Sequence, residues 1–215
     1  MRFKAFEKAI SKINKLSLPG IETQLKMAPP FREQLLDRYK EERKSAKPAA
    51  VMALFYPSKE GETLLVLILR KFYKGVHSAQ VGFPGGKPEP EDDSMQATAL
   101  RETWEEIGVS SDKITVLREL TSIYIPPSNF LVTPFIGIAS APLTFTLQPS
   151  EVDAVLEVSL TDFMDDKSEV VSKILAADGS AYEVPAFKLN GHIVWGATAM
   201  MLIEIKSMLN QILKK

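Results

Sequence analysis

Cysteine is absent from the 215-residue sequence, which excludes disulfide scaffolds, thiolate metal sites and cysteine nucleophiles at once. Histidine is nearly absent. The two present, His77 in a loop and His192 in the polar turn Asn190-Gly191-His192, form no pattern for a histidine-ligated metal. An excess of either charge is missing too. The 26 basic and 27 acidic side chains leave a formal net charge of −1, which argues against a uniformly basic, nucleic-acid-binding surface. The longest aliphatic run, Leu64 to Leu69, falls far short of the roughly 18 residues that span a bilayer. The opening Met1-Arg2-Phe3-Lys4-Ala5-Phe6-Glu7 has no apolar signal core. The expectation is a soluble, cytoplasmic chain without a membrane partner. What is there, 45% apolar and 25% charged residues, is the make-up of an ordinary folded protein, so a disordered or collagen-like chain is excluded.

The pattern divides the chain into an N-terminal helical extension, residues 1–48, and a layered α/β domain, residues 49–215. Two helix-like stretches, Phe3 to Lys15 and about Pro30 to Lys47, are separated by Leu18-Pro19-Gly20, which breaks helical continuity. Phe3, Phe6, Ile10, Ile13 and Leu16 recur at helical spacing and need something to pack against. Ala49 to Tyr56 and Thr63 to Phe72 are strand-like and joined by a polar turn, a hairpin by pattern. Met95 to Ile107 reads as a helix closed by Gly108. Further strands are expected near Ile114 to Leu120, Phe130 to Ile138, Val152 to Val158 and Ala181 to Phe187, then a final helix from about Ala197 to Leu213. Strands interrupted by one helix and closed by another imply a layered α/β fold.

The central helix carries the chemistry. Ala97, Leu100, Trp104 and Ile107 fall on one face, expected to be buried, with Trp104 read as packing. Glu102, Glu105 and Glu106 stand at i, i+3 and i+4, so three carboxylates share one patch and each raises the cost of ionising the others. Such a patch suits a hard divalent cation, which prefers oxygen ligands. Arg101 lies one residue before Glu102 and four before Glu105, where it pairs with carboxylates and keeps them in register. Upstream, Gly85-Gly86 lets backbone approach a ligand closely.

Together, Phe83-Pro84-Gly85-Gly86 and Arg101-Glu102-Thr103-Trp104-Glu105-Glu106-Ile107-Gly108-Val109 resemble the signature of Nudix hydrolases, whose second half reads R-E-U-x-E-E-x-G-U. Thr103 occupies the first U. Counting back from Arg101 by the family's G-x5-E-x7, the E position falls on Asp93 and the G position on Lys87, with Gly86 one residue earlier. Leu67-Ile68-Leu69-Arg70 and Gln80-Val81-Gly82-Phe83-Pro84-Gly85-Gly86 resemble the additional motif of the coenzyme A pyrophosphatase subgroup. Arg70, Val81 and Phe83 to Gly86 match it, while Lys71, Gly75 and Ala79 depart from it. Trp195-Gly196-Ala197-Thr198-Ala199 is similar to that subgroup's C-terminal segment.

The resemblance implies a Nudix-type α/β/α sandwich with a mixed β-sheet. It also implies hydrolysis of a pyrophosphate with Mg²⁺ or Mn²⁺ held by Glu102, Glu105, Glu106 and the backbone carbonyl near Gly86. The catalytic set is then Arg101, Glu102, Glu105, Glu106 and a general base, with Glu151 and Asp153 as candidates on the loop entering a strand. Arg70, Lys71, Lys74, His77 and Gly85 are the expected substrate contacts, the cations attracting phosphate. The substrate expected is coenzyme A or a thioester of it, cleaved to 3′,5′-ADP and a 4′-phosphopantetheine product. ADP-ribose, a dinucleotide or a nucleoside triphosphate stays open, as does a nucleotide-binding protein that does not turn over. A homodimer is suggested by family analogy alone.

Overall fold

The computed structural model describes residues 1–71, 80–175 and 180–213. Lys74, Gly75, His77 and Ala79 therefore lie outside the described residues. The N-terminal segment forms α1 (Phe3–Ile10), α2 (Gly20–Gln24) and α3 (Arg32–Arg38). The helix expected to run to Lys15 stops at Ile10. There Ser11 Oγ donates back to the Lys8 carbonyl and Lys12 N–H reaches only to Ala9, tightening the chain into a 3₁₀ turn. The helix expected from Pro30 to Lys47 ends at Arg38, a 3₁₀ turn at Glu42–Ser45 follows, and Lys47, directly before Pro48, is already in extended backbone.

Lys47 opens β1 (Lys47–Pro57), followed by β2 (Thr63–Arg70), β3 (Val81–Gly82), β4 (Gly85–Gly86) and α4 (Met95–Ile107). Then come β5 (Thr115–Glu119), β6 (Ile123–Ile125), β7 (Phe130–Ile138), β8 (Val152–Ser159) and α5 (Leu160–Met164). The chain continues through β9 (Glu169–Leu175), β10 (Ala181–Leu189), β11 (His192–Trp195) and α6 (Gly196–Leu213). His192, read as a turn residue, thus begins a strand.

The main sheet runs β3-β2-β1-β7-β5, with β4 also on β1, β6 on β7 and β8 on β2. It is mixed, because β1 and β7 pair parallel while β1 and β2 pair antiparallel. A smaller sheet runs β11-β10-β9. Both faces of the central strand are covered, as its nearly unbroken apolar sequence requires. Ala50, Met52, Leu54 and Tyr56 on β1 and Val66 and Ile68 on β2 meet Ala99 and Ile107 of α4. On the other face Ala49, Ala53, Phe55, Leu65 and Leu67 meet Phe3, Phe6, Ile10 and the apolar side of α6. This is the α/β/α layering expected. The N-terminal helices answer the question of what they pack against: Phe6 lies 5.0 Å from Phe55, centroid to centroid. Buried Glu204 of α6 also accepts from Gln24 Nε2 at 2.8 Å and Thr121 Oγ1 at 2.6 Å. Among the described residues no helix is long and apolar enough to cross a membrane.

Candidate active site

Ser94 caps α4, its hydroxyl accepting from Ala97 N–H, and Gly108 ends the helix in the left-handed conformation at φ 74°. The loop before β8 closes the same end with backbone alone: Gln148 N–H donates to the Glu106 carbonyl and Thr146 N–H to that of Ile107, both at 3.0 Å. Glu151 is thereby brought beside the acidic side of the helix, where its charge raises the ionisation cost of both Glu102 and Glu106.

The three helix carboxylates are not equivalent. Glu106 is 1% exposed, and its Oε2 accepts from Gly85 N–H at 2.8 Å. Arg70 Nη1 stands 3.3 Å from its Oε1, too poorly aligned for a hydrogen bond, so Oε1 is a buried oxygen without one among the described residues. Burial, with Glu102 and Glu151 adding repulsion, pushes the carboxyl up to about 7 against the pull of Arg70 and the Gly85 amide. Glu102 lies against Gly86, where a Cβ would come within 2.5 Å of its carboxyl carbon. Its pKa is raised first by burial, and Glu105 and Glu151 add to the rise while Arg101 opposes it. Glu105, 40% exposed, turns to Arg101 Nη1 at 2.7 Å. Among the described residues no three acidic or histidine side chains enclose an ion position; Glu102 and Glu106 both feel the charge of Glu151, and Glu105 adds to the repulsion on Glu102.

Arg101 does the pairing its position suggested and has a partner the sequence reading passed over. It donates Nε to Asp92 Oδ1 at 3.1 Å and Nη2 to Asp92 Oδ2 at 3.0 Å, and it also reaches the Lys87 carbonyl at 2.7 Å. These bonds come first among the causes that hold the Asp92 carboxyl down at about 2, aided by Glu89 N–H and Thr98 Oγ1. Asp92, not Asp93, therefore completes the pair. Because Asp92 stands six residues after Gly86, the spacing from the glycine is regular and the extra residue falls between Asp92 and Arg101.

Two expected phosphate contacts are already engaged. Arg70 Nη2 donates to the Gly85 carbonyl at 2.8 Å in addition to its Glu106 pairing, so it braces the glycine turn. Lys71 Nζ donates to the Pro149 carbonyl at 2.6 Å and anchors the Glu151 loop. Trp104, expected in the core, is 57% exposed. Thr98, Ala99, Thr103 and Ile107 form the buried face instead, and Thr103 Oγ1 is satisfied by the Ala99 carbonyl at 2.6 Å.

A family model for the NUDIX domain matches residues 46–177. The Nudix hydrolase NudL of Photorhabdus laumondii is 32% identical over 141 residues, 66% of this chain and 74% of that protein. NudL of Yersinia pestis is 31% identical, covering 66% and 70% respectively. A MutT/nudix family protein of Enterococcus faecalis shares the fold, with a TM-score of 0.51 at 18% identity over 99% of this chain and 75% of that one. The family match and these relatives define a hydrolase that acts on pyrophosphate bonds. The chain belongs to the Nudix family.

Proposed function

We propose that the protein is a Mg²⁺- or Mn²⁺-dependent pyrophosphohydrolase that cleaves coenzyme A or its thioesters into 3′,5′-ADP and 4′-phosphopantetheine products. The observation that carries the reading is the buried Oε1 of Glu106, without a hydrogen bond among the described residues, on a carboxyl that resists ionisation as that of Glu102 does, with the charge of Glu151 acting on both. A cation is the partner that relieves this repulsion. The oxygen-only donor set suits a hard divalent ion, with Glu102, Glu106, Glu105 on reorientation and the Gly86 carbonyl as the groups to hold it. Such an ion supplies charge neutralisation on the diphosphate and acidifies water.

The rest is done by the chain. Glu151, solvent-facing at the rim, takes the proton of the attacking water, the assignment we favour over Asp153. Water oxygen joins one phosphorus, the bridging P–O bond breaks, and the departing phosphate carries away the bond's electron pair. Arg70 and Arg101 keep Glu106 and Glu102 in place, the first through Gly85 and the second through Asp92. The substrate reading rests on the Leu67 to Gly86 motif. It is tested by offering coenzyme A, acetyl-coenzyme A, ADP-ribose and NADH at equal concentration with Mg²⁺ and identifying products. Preferred release of 3′,5′-ADP is expected; preferred release of AMP from ADP-ribose or NADH overturns the coenzyme A assignment.

A further inference from the structure

On the α6 face of the sheet a cleft of about 220 Å³ is lined by Leu69, Gln80, Val81, His192, Ile193 and Trp195. It adjoins the hydrolytic site. A Cβ on Gly82 would lie 3.8 Å from Thr198 Oγ1 and 3.9 Å from Arg70 Nε, so the first turn of α6 and the arginine bracing the glycine turn meet at one glycine. The half-buried side chains of His192 and Trp195 make no hydrogen bond or ion pair to any described residue. The walls thus combine an indole and an imidazole with the aliphatic side chains of Leu69, Val81 and Ile193, a lining suited to a flat heteroaromatic ring. The volume is below the roughly 300–1,000 Å³ of pockets that enclose a whole small ligand, so it suits one end group.

We propose that this cleft seats the nucleobase of the substrate, with Trp195 stacking on the ring and His192 hydrogen-bonding its edge; the proposal rests on the pyrophosphohydrolase reading of the neighbouring site. The sequence has two tryptophans, so Trp104→Phe, at an exposed position outside the catalytic groups, leaves Trp195 as the sole indole fluorophore. The full chain is titrated with 5′-AMP in the absence of divalent ions and excited at the red edge of the indole band. A saturable change in Trp195 emission is expected, reproduced by adenosine and not by pantetheine. Adding His192→Ala should raise the midpoint about fivefold or more. By calorimetry, Trp195→Ala should weaken 5′-AMP about ten- to hundredfold. Emission that 5′-AMP does not move, or that pantetheine moves and adenosine does not, overturns the proposal. Metal-dependent hydrolysis with an unresponsive Trp195 sinks the base seat alone. A responsive Trp195 without hydrolysis of any diphosphate sinks the catalytic reading alone.

Discussion

The two adjacent glycines of the turn should respond in opposite ways to one added methyl group. At Gly85, φ is 152° and a Cβ would fall 2.6 Å from Val51 Cα and onto the Ala50 carbonyl oxygen, both backbone atoms of the central strand. No side-chain rotation relieves that clash. Overpacking of about 1–3 kcal/mol and backbone strain of about 1–3 kcal/mol give Gly85→Ala a cost of about 2–6 kcal/mol. For a chain of this size that lowers Tm by roughly 5–20 °C. At Gly86 the atoms in the way belong to the Glu102 carboxylate, the end of a flexible side chain. Gly86→Ala should therefore cost less than about 1 kcal/mol, yet push Glu102 off the turn and lower kcat/KM about 10- to 100-fold. Thermal unfolding by circular dichroism and turnover per folded molecule separate the two. If Gly86→Ala melts as early as Gly85→Ala while keeping its turnover, the placement of Glu102 against the turn is wrong.

Glu106→Gln should keep or slightly raise stability without divalent ions, since a neutral amide avoids the cost of a buried charge. It should lower hydrolysis by more than about 100-fold and abolish the Mg²⁺-induced rise in Tm, which for wild type is worth about 2.7 kcal/mol at 100 times Kd. An undiminished rise in the variant refutes the assignment. Asp92→Asn should cost roughly 1–3 kcal/mol at neutral pH. Because the Asp92 carboxyl is held down at about 2, its contribution is present above the ordinary aspartate range and is lost as pH falls through about 2. Acid titration should accordingly bring variant and wild type together there, and Asp93→Asn should change nothing. Glu204→Ala strands Thr121 Oγ1 and Gly20 N–H and leaves Gln24 Nε2 only its bond to the Thr121 carbonyl, and should cost about 3–5 kcal/mol, with hydrogen exchange rising first around residues 20–27. Trp104→Phe should leave Tm within about 0.5 kcal/mol of wild type, and acrylamide should readily quench Trp104 in a Trp195→Phe background.

Much of the frame was legible because its signals are local. Helix α4 has a serine before it and a glycine after it, and β1 and β2 are apolar runs around a polar turn, so their positions follow from capping and periodicity. Strands β6, β9 and β11 were missed. They are three, seven and four residues long, and β9 alternates between exposed and half-buried positions without a strong apolar stripe. On α4 the burial of Thr103 and exposure of Trp104 reverse what hydrophobicity suggests, and the same face buries the Glu106 carboxylate. Counting from Arg101 pointed to Asp93, whereas the reach of a guanidinium selects Asp92, a three-dimensional fact that spacing does not contain. Likewise, nothing in the run of glutamates distinguishes Glu106, locked under Arg70 and Gly85, from Glu105 at the surface.

The Glu151 loop is fastened to the end of α4 by main-chain groups, through the amides of Thr146 and Gln148. Side-chain replacements along the loop leave such a joint whole, so its residues are free to drift to different identities while the acid at its far end keeps its station. A change in loop length, or a proline at either donor, is what would break it. The functional restraint on this stretch is therefore written as a number of residues rather than as letters, and a comparison that scores letters undervalues it.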